Sequence, residues 1–196
     1  MLSQNFVYLA LLITLVANLV YIRDTLKGET KPNRVTWFLW GSVPLIAYLA
    51  AKEDGGGQQI LYTLTIAVLA FAIFAASFIN KSAFWKLTRF DLACGLVSIL
   101  AAILLITTTR SLLVLLLSLV ADFFAALPTL IKSFNYPTTE TSWAYTLEIA
   151  ASVIILLTIS DWRFSNYAFA LYVLLMNIVF TFFLVIRPRR TALDKA

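Results

Sequence analysis

The sequence has no histidine, one cysteine, and few charges, 15 basic and 10 acidic residues among 196. Without an imidazole there is no Ser-His dyad, no zinc site of the usual kind and no histidine-ligated haem. Cys94 has no second cysteine to pair with, so an internal disulfide is excluded; beside Gly95 it reads as a small buried hydrophobe. Neither a metal nor a cofactor is expected. A lysine-linked chromophore in the last helix is also excluded, because no lysine occurs between Lys132 and Lys195. Only one aspartate, Asp122, lies deep in an apolar run, where an intramembrane aspartyl protease needs two. The chain is therefore not expected to be an enzyme.

What the sequence has in abundance is apolar side chain, 61% of its residues. That exceeds what a soluble core of this length can hide, so part of the surroundings must be lipid. About seven apolar runs recur, approximately Asn5 to Ile22, Val35 to Ala51, Ile60 to Ile79, Phe90 to Thr107, Ser111 to Ile131, Trp143 to Ile159 and Tyr167 to Ile186. They do not alternate apolar with polar as barrel strands do, so they are predicted to be helices. The first run lacks a basic leader and a small-residue cleavage site, and it reads as a retained helix.

The net charge of +5 is unevenly placed. Arg23, Lys27, Lys31, Arg34, Lys81, Lys86, Arg89, Lys132, Arg187, Arg189, Arg190 and Lys195 fall in alternate connections on one side; only Lys52, Arg110 and Arg163 fall on the other. Such a bias predicts a multi-pass protein of the plasma or inner membrane with its N-terminus outside and its C-terminus in the cytoplasm. It argues against nucleic acid as a partner.

A shift of about 105 residues carries Leu26, Lys27 and Pro32 onto Ile131, Lys132 and Pro137, and one residue more carries Trp37 onto Trp143. The expected fold is all-α: seven transmembrane helices arranged as two parallel three-helix bundles joined by a linker helix (3+1+3). The expected divisions are a first bundle over 1–80, the linker over 81–109, a second bundle over 110–187 and a tail over 188–196. Gly55, Gly56 and Gly57 form an outside loop, with no Lys-Ser or Lys-Thr following to make a phosphate cradle.

The run Leu127, Pro128, Lys132, Pro137, Thr141, Ser142, Trp143 resembles the PQ-loop (MtN3/saliva) group, which includes the SWEET sugar facilitators; Thr129 stands where that group has its Gln. The resemblance implies the same 3+1+3 layout and transport by alternating access. It implies a solute pocket lined by a Trp and an Asn, which Trp162, with Thr158 one turn before it, and Asn177 match here. In the first triplet Phe71 or Ala72 replaces the Asn. It also implies proline hinges: Pro44 and Pro128 within helices, Pro32 and Pro137 at helix starts.

Polar groups at membrane depth need a partner, water or a task. Asp122, Glu148, Asn177 and Asn18 qualify, and the repeat places Asn18 near Asp122 and Ser42 opposite Glu148. Helical spacing aligns Ser111, Ser118, Asp122 and Thr129 on one stripe, and Thr141, Tyr145, Glu148 and Ser152 on another. Asp122 and Glu148 are expected to contact the solute or hold a coupling proton, or else to bind helices together. Trp37, Trp40 and Trp85 read as interface anchors or packing.

The expected function is a membrane transporter or facilitator of a small polar solute, sugar-like or another small metabolite. One alternative is a non-transporting sensor or scaffold of the same fold, with the basic tail from Arg187 to Lys195 as its contact surface; the other is a vitamin-precursor carrier of similar layout. The expected partners are a small-molecule solute and membrane lipid, and a homo-oligomer is compatible with the layout.

Overall fold

The computed structural model describes residues 2–83, 85–107 and 111–186. They form seven α-helices and no strand: α1 (Phe6–Lys27), α2 (Arg34–Glu53), α3 (Ile60–Ala76), α4 (Arg89–Thr107), α5 (Ser111–Asn135), α6 (Ser142–Thr158) and α7 (Phe164–Thr181). Short 3-10 turns at Lys81–Ala83 and Pro137–Thr139 precede α4 and α6, and α7 runs on into a π turn at Phe182–Ile186. The basic tail lies outside the described residues, as does Arg110.

Four helical runs, Phe6–Lys27, Arg34–Glu53, Leu112–Asn135 and Phe164–Val185, are long and apolar enough to cross a membrane. Ile60–Ala76 and Ser142–Thr158 are apolar but shorter; their 17 residues reach about 26 Å at ~1.5 Å per residue. Burial is inverted relative to a water-soluble protein. Leu9, Leu12, Leu15, Val16 and Leu19 of α1, and Leu92, Leu96, Leu100 and Ile103 of α4, are exposed, whereas Thr14, Asn18, Ser98, Asp122, Thr129, Glu148 and Ser152 are buried. A continuous apolar exterior around polar contacts is what a lipid environment demands, and it makes this an all-helical membrane protein.

Local chemistry fixes the helix ends. The first apolar run gives out near Ile22, yet α1 continues to Lys27, because only Gly28 takes the left-handed conformation (φ 80°) that ends it. Its backbone N–H bonds to Thr25 O at 3.0 Å. The Asn33 carboxamide oxygen caps α2 by accepting from Val35 N at 3.1 Å and Thr36 N at 3.4 Å, while its Nδ2 donates to Asp91 Oδ1 at 3.1 Å. Asp91 and Thr88 exchange hydrogen bonds at the start of α4. One side chain therefore starts α2 and ties α4 to it.

Six helices close into a ring in the order α1, α3, α2, α5, α7, α6 and back to α1, and α4 packs outside it against α5 and α2. At Gly41 of α2 a Cβ would stand 2.6 Å from the Phe71 ring of α3, so the two helices approach only because the side chain is missing. Gly41→Val is expected to destabilise the protein by about 1–3 kcal/mol, read as a lower melting temperature in detergent; Phe71→Ala in the same chain is expected to restore part of the loss.

Candidate functional site

A cavity of about 80 Å³ lies inside the ring, and each of the six ring helices contributes to its wall. At ~10–15 Å³ per water-sized sphere, it has room for several waters or a small organic group. Packed cores flank it. One, around Val7, Ala10, Tyr62, Ile155 and Val173, lies toward the end of the bundle that carries Arg163; the other, around Tyr21, Trp37, Tyr145, Phe180 and Leu184, lies toward the end that carries Lys132.

Five aromatic rings on the wall form a closed circuit. Tyr21 lies 4.6 Å from Trp37, Trp37 lies 5.0 Å from Trp40, and Trp40 lies 5.9 Å from Phe180. Phe180 stacks on Tyr145 at 4.6 Å, and Tyr145 returns edge-on to Tyr21 at 6.4 Å. Edge-on, tilted and stacked contacts between successive rings fix each against its neighbours.

Two carboxylates face this cavity in different states of satisfaction. Glu148 of α6 accepts from Thr14 Oγ1 at 3.1 Å, Asn18 Nδ2 at 2.9 Å and Tyr62 OH at 2.9 Å. Three donors from α1 and α3 thus hold one α6 side chain. Asp122 of α5 accepts from Tyr172 OH at 2.8 Å through Oδ2 alone. Its Oδ1 is buried and makes no hydrogen bond of normal geometry, and neither does the indole N–H of Trp40, which approaches the Asp122 carboxyl from the same wall. A buried polar atom left unpaired is uncommon enough to demand an explanation.

Below the aromatic circuit, at the Lys132 end, lies a buried ion pair. Lys132 Nζ meets Glu140 Oε1 at 2.6 Å, with side chains 1% and 0% exposed. Glu140 Oε2 accepts from Tyr21 OH and Tyr145 OH, both at 2.8 Å, so two members of the circuit are anchored on it. Lys132 also donates to Lys31 O and Thr139 O and lies 4.9 Å over the Trp85 ring. Thr30 and Thr141 share a hydrogen bond at 2.5 Å, and Thr141 donates to Asp24 at 2.9 Å. The α1–α2 and α5–α6 connections are therefore locked together. At the Arg163 end the cross-links are fewer: Arg163 donates to the Asp54 and Gly55 carbonyls at 3.3 and 3.4 Å from an exposed position, and Gly57 N donates to Asn166 at 3.2 Å.

No family model, curated protein or solved structure matches the chain. The site is therefore read from its own residues. Of the positions singled out from sequence, Asn18, Asp122, Glu148 and Asn177 come together at the cavity. Asn177 spends its Nδ2 on Val173 O one turn back, at 2.8 Å. Trp162 stands away from the cavity, exposed at the Arg163 end with its ring 5.7 Å from Tyr167. Thr158 is buried but donates to Ile155 O at 2.6 Å, and Ser42 donates to Phe38 O at 2.9 Å, so neither lines the cavity. Pro44 and Pro128 lie within α2 and α5; Pro32 precedes α2, and Pro137 opens a 3-10 turn.

Several wall and latch residues escape the sequence reading. Trp37 and Trp40, readable as anchors, are two of the five rings of the aromatic circuit, and Tyr62 and Tyr172 are the phenols that hold the two carboxylates. Lys132 reads as a connector charge, and the sequence reading does not single out Glu140, yet the two pair inside the protein. The available signal was their position: each sits beside a polar stripe whose members Thr129, Thr141 and Tyr145 are buried.

Proposed function

We propose that the protein is a membrane transporter or facilitator of a small polar solute, working by alternating access between two like-oriented triplets, α1 to α3 and α5 to α7, with α4 as the linker. The ring order supports this layout. A twofold axis along the membrane normal takes α1 to α5 and α2 to α6, so the α1·α6 and α2·α5 packings are one contact made twice. The basic bias supports a cytoplasmic position for the Lys132 end.

The observation that carries the reading is the central cavity lined by both triplets, with the buried Lys132–Glu140 cluster bridging them at one end. Rocking one triplet against the other around the cavity must break that cluster, or else the sparser contacts near Arg163, and in either case exposes the cavity to one side. Pro44 and Pro128 remove one helical hydrogen bond each from the facing pair α2 and α5, where such a motion bends.

Uptake of labelled sugars, amino acids and small amines into proteoliposomes tests the proposal. Saturable uptake above empty liposomes is expected, falling to the empty-liposome level in Asn177→Ala. Ligand-induced thermal stabilisation with no uptake of any stabilising solute instead supports a non-transporting sensor.

A further inference from the structure

We infer that the cavity selects a small organic cation whose charge is spread over methyl groups or a planar ring; the inference rests on the reading of the cavity as a solute site. The wall carries two carboxylates, and among the described residues no lysine or arginine lines it. Lys132, the nearest buried cation to the circuit, is committed to Glu140. Glu148 is saturated by its three donors. Asp122 is not: one oxygen takes the Tyr172 hydroxyl, and the other is buried and makes no hydrogen bond of normal geometry. A carboxylate placed so lacks a counter-charge, and a bound cation supplies it.

The aromatic circuit then fixes the kind of cation. Ring faces attract delocalised or methylated cations, which carry no N–H to be left unsatisfied among carbon atoms. The Trp40 N–H is held toward the Asp122 carboxyl without closing a hydrogen bond of normal geometry, and a hydroxyl or carbonyl on the same ligand competes for it. Other solute classes fit less well. An anion faces two carboxylates. A sugar brings many hydroxyls to a largely apolar wall whose amide nitrogens are already engaged, Asn18 on Thr14 O and Glu148 and Asn177 on Val173 O, so most of those hydroxyls lose water without replacement.

The test compares matched pairs on the purified full chain in lipid nanodiscs: choline against its neutral carbon analogue dimethylbutanol, and N-methylpyridinium against pyridine held neutral. Calorimetry and tryptophan fluorescence read the binding. Each cation is expected to bind about tenfold or more tightly than its neutral partner. Asp122→Asn keeps an acceptor for Tyr172 and is expected to erase that preference; Trp40→Phe keeps the ring face and is expected to weaken choline while sparing N-methylpyridinium. Equal binding of cation and neutral analogue by the unaltered protein overturns the inference without relying on any variant. So does the absence of cation binding, or a preference that survives in folded Asp122→Asn. Proteoliposome flux separates this inference from the reading beneath it: cation binding without flux keeps the cation site and overturns transport, whereas flux of neutral solutes with no cation preference does the reverse.

Discussion

Lys132→Met is expected to lower unfolding stability by about 3–5 kcal/mol, because it removes one partner of a buried ion pair and leaves the other charged. The geometry places this among the largest single-residue effects in the protein. Glu140 is wholly buried, and its remaining donors, Tyr21 and Tyr145, are neutral phenols. Lys132 further donates to Lys31 O and is a second donor, beside Lys31 N, to Thr139 O, so its loss also weakens the joint between the two connections. Adding Glu140→Gln is expected to return much of the loss, since the isolated charge disappears while the phenols keep an acceptor. Thermal or denaturant unfolding of the two single variants and the double variant gives the coupling directly. Arg163→Ala is the internal control. Its pair with Asp161 is about half exposed, 53% and 51%, and its removal is expected to cost under about 1 kcal/mol. Equal effects of Lys132→Met and Arg163→Ala would show that the buried cluster does not hold the two connections together.

This contrast also marks how far the sequence could be read. Apolar run length gave seven helices close to where they occur, because lipid leaves a backbone no other way to satisfy its polar groups. Helical spacing gave the inward faces: Ser118, Asp122 and Thr129 of α5 and Tyr145, Glu148 and Ser152 of α6 are all buried, as a polar stripe in lipid must be. Spacing does not say which partner a face will meet. Glu148 finds its donors 134, 130 and 86 residues away, at Thr14, Asn18 and Tyr62, and those contacts depend on how three helices are rotated about their axes. Glu140 was harder still. It lies in a short connection whose charges ordinarily face water, and only the 3-10 turn at Pro137–Thr139 folds it back over Lys132. The resemblance to the PQ-loop group points to Trp162 and Thr158 as pocket residues, but each lies off the cavity wall, and the wall's tryptophans come from α2. The proposed repeat aligns Lys, Pro and Trp in a shared order, yet the aligned lysines stand in different surroundings: Lys132 is buried and paired, and Lys27 is exposed.

Glu148→Ala is expected to cost about 2–5 kcal/mol. The carboxylate is the common acceptor of Thr14, Asn18 and Tyr62, and truncation leaves three buried donors to compete for what remains, each unpaired group costing about 1–3 kcal/mol with incomplete additivity. Glu148→Gln has a different outcome. Its carbonyl can keep the Asn18 bond, and its amide can sit where Oε2 sat if the Thr14 and Tyr62 hydroxyls rotate from donating to accepting, which a hydroxyl can do and an amide cannot. The cost is then expected to stay within about 1 kcal/mol. Tyr62→Phe, which removes one donor of the three, is expected to fall near 1 kcal/mol. Thermal unfolding of the three variants orders them, and the order separates two roles. If Glu148→Gln is mild in stability and leaves cation binding intact, Glu148 is the pin that fastens α6 to α1 and α3, and Asp122 alone supplies the charge that the cavity offers a ligand. If Glu148→Gln abolishes cation binding while remaining folded, both carboxylates contribute that charge, and the three hydrogen bonds serve to aim Glu148 at the ligand rather than to consume it.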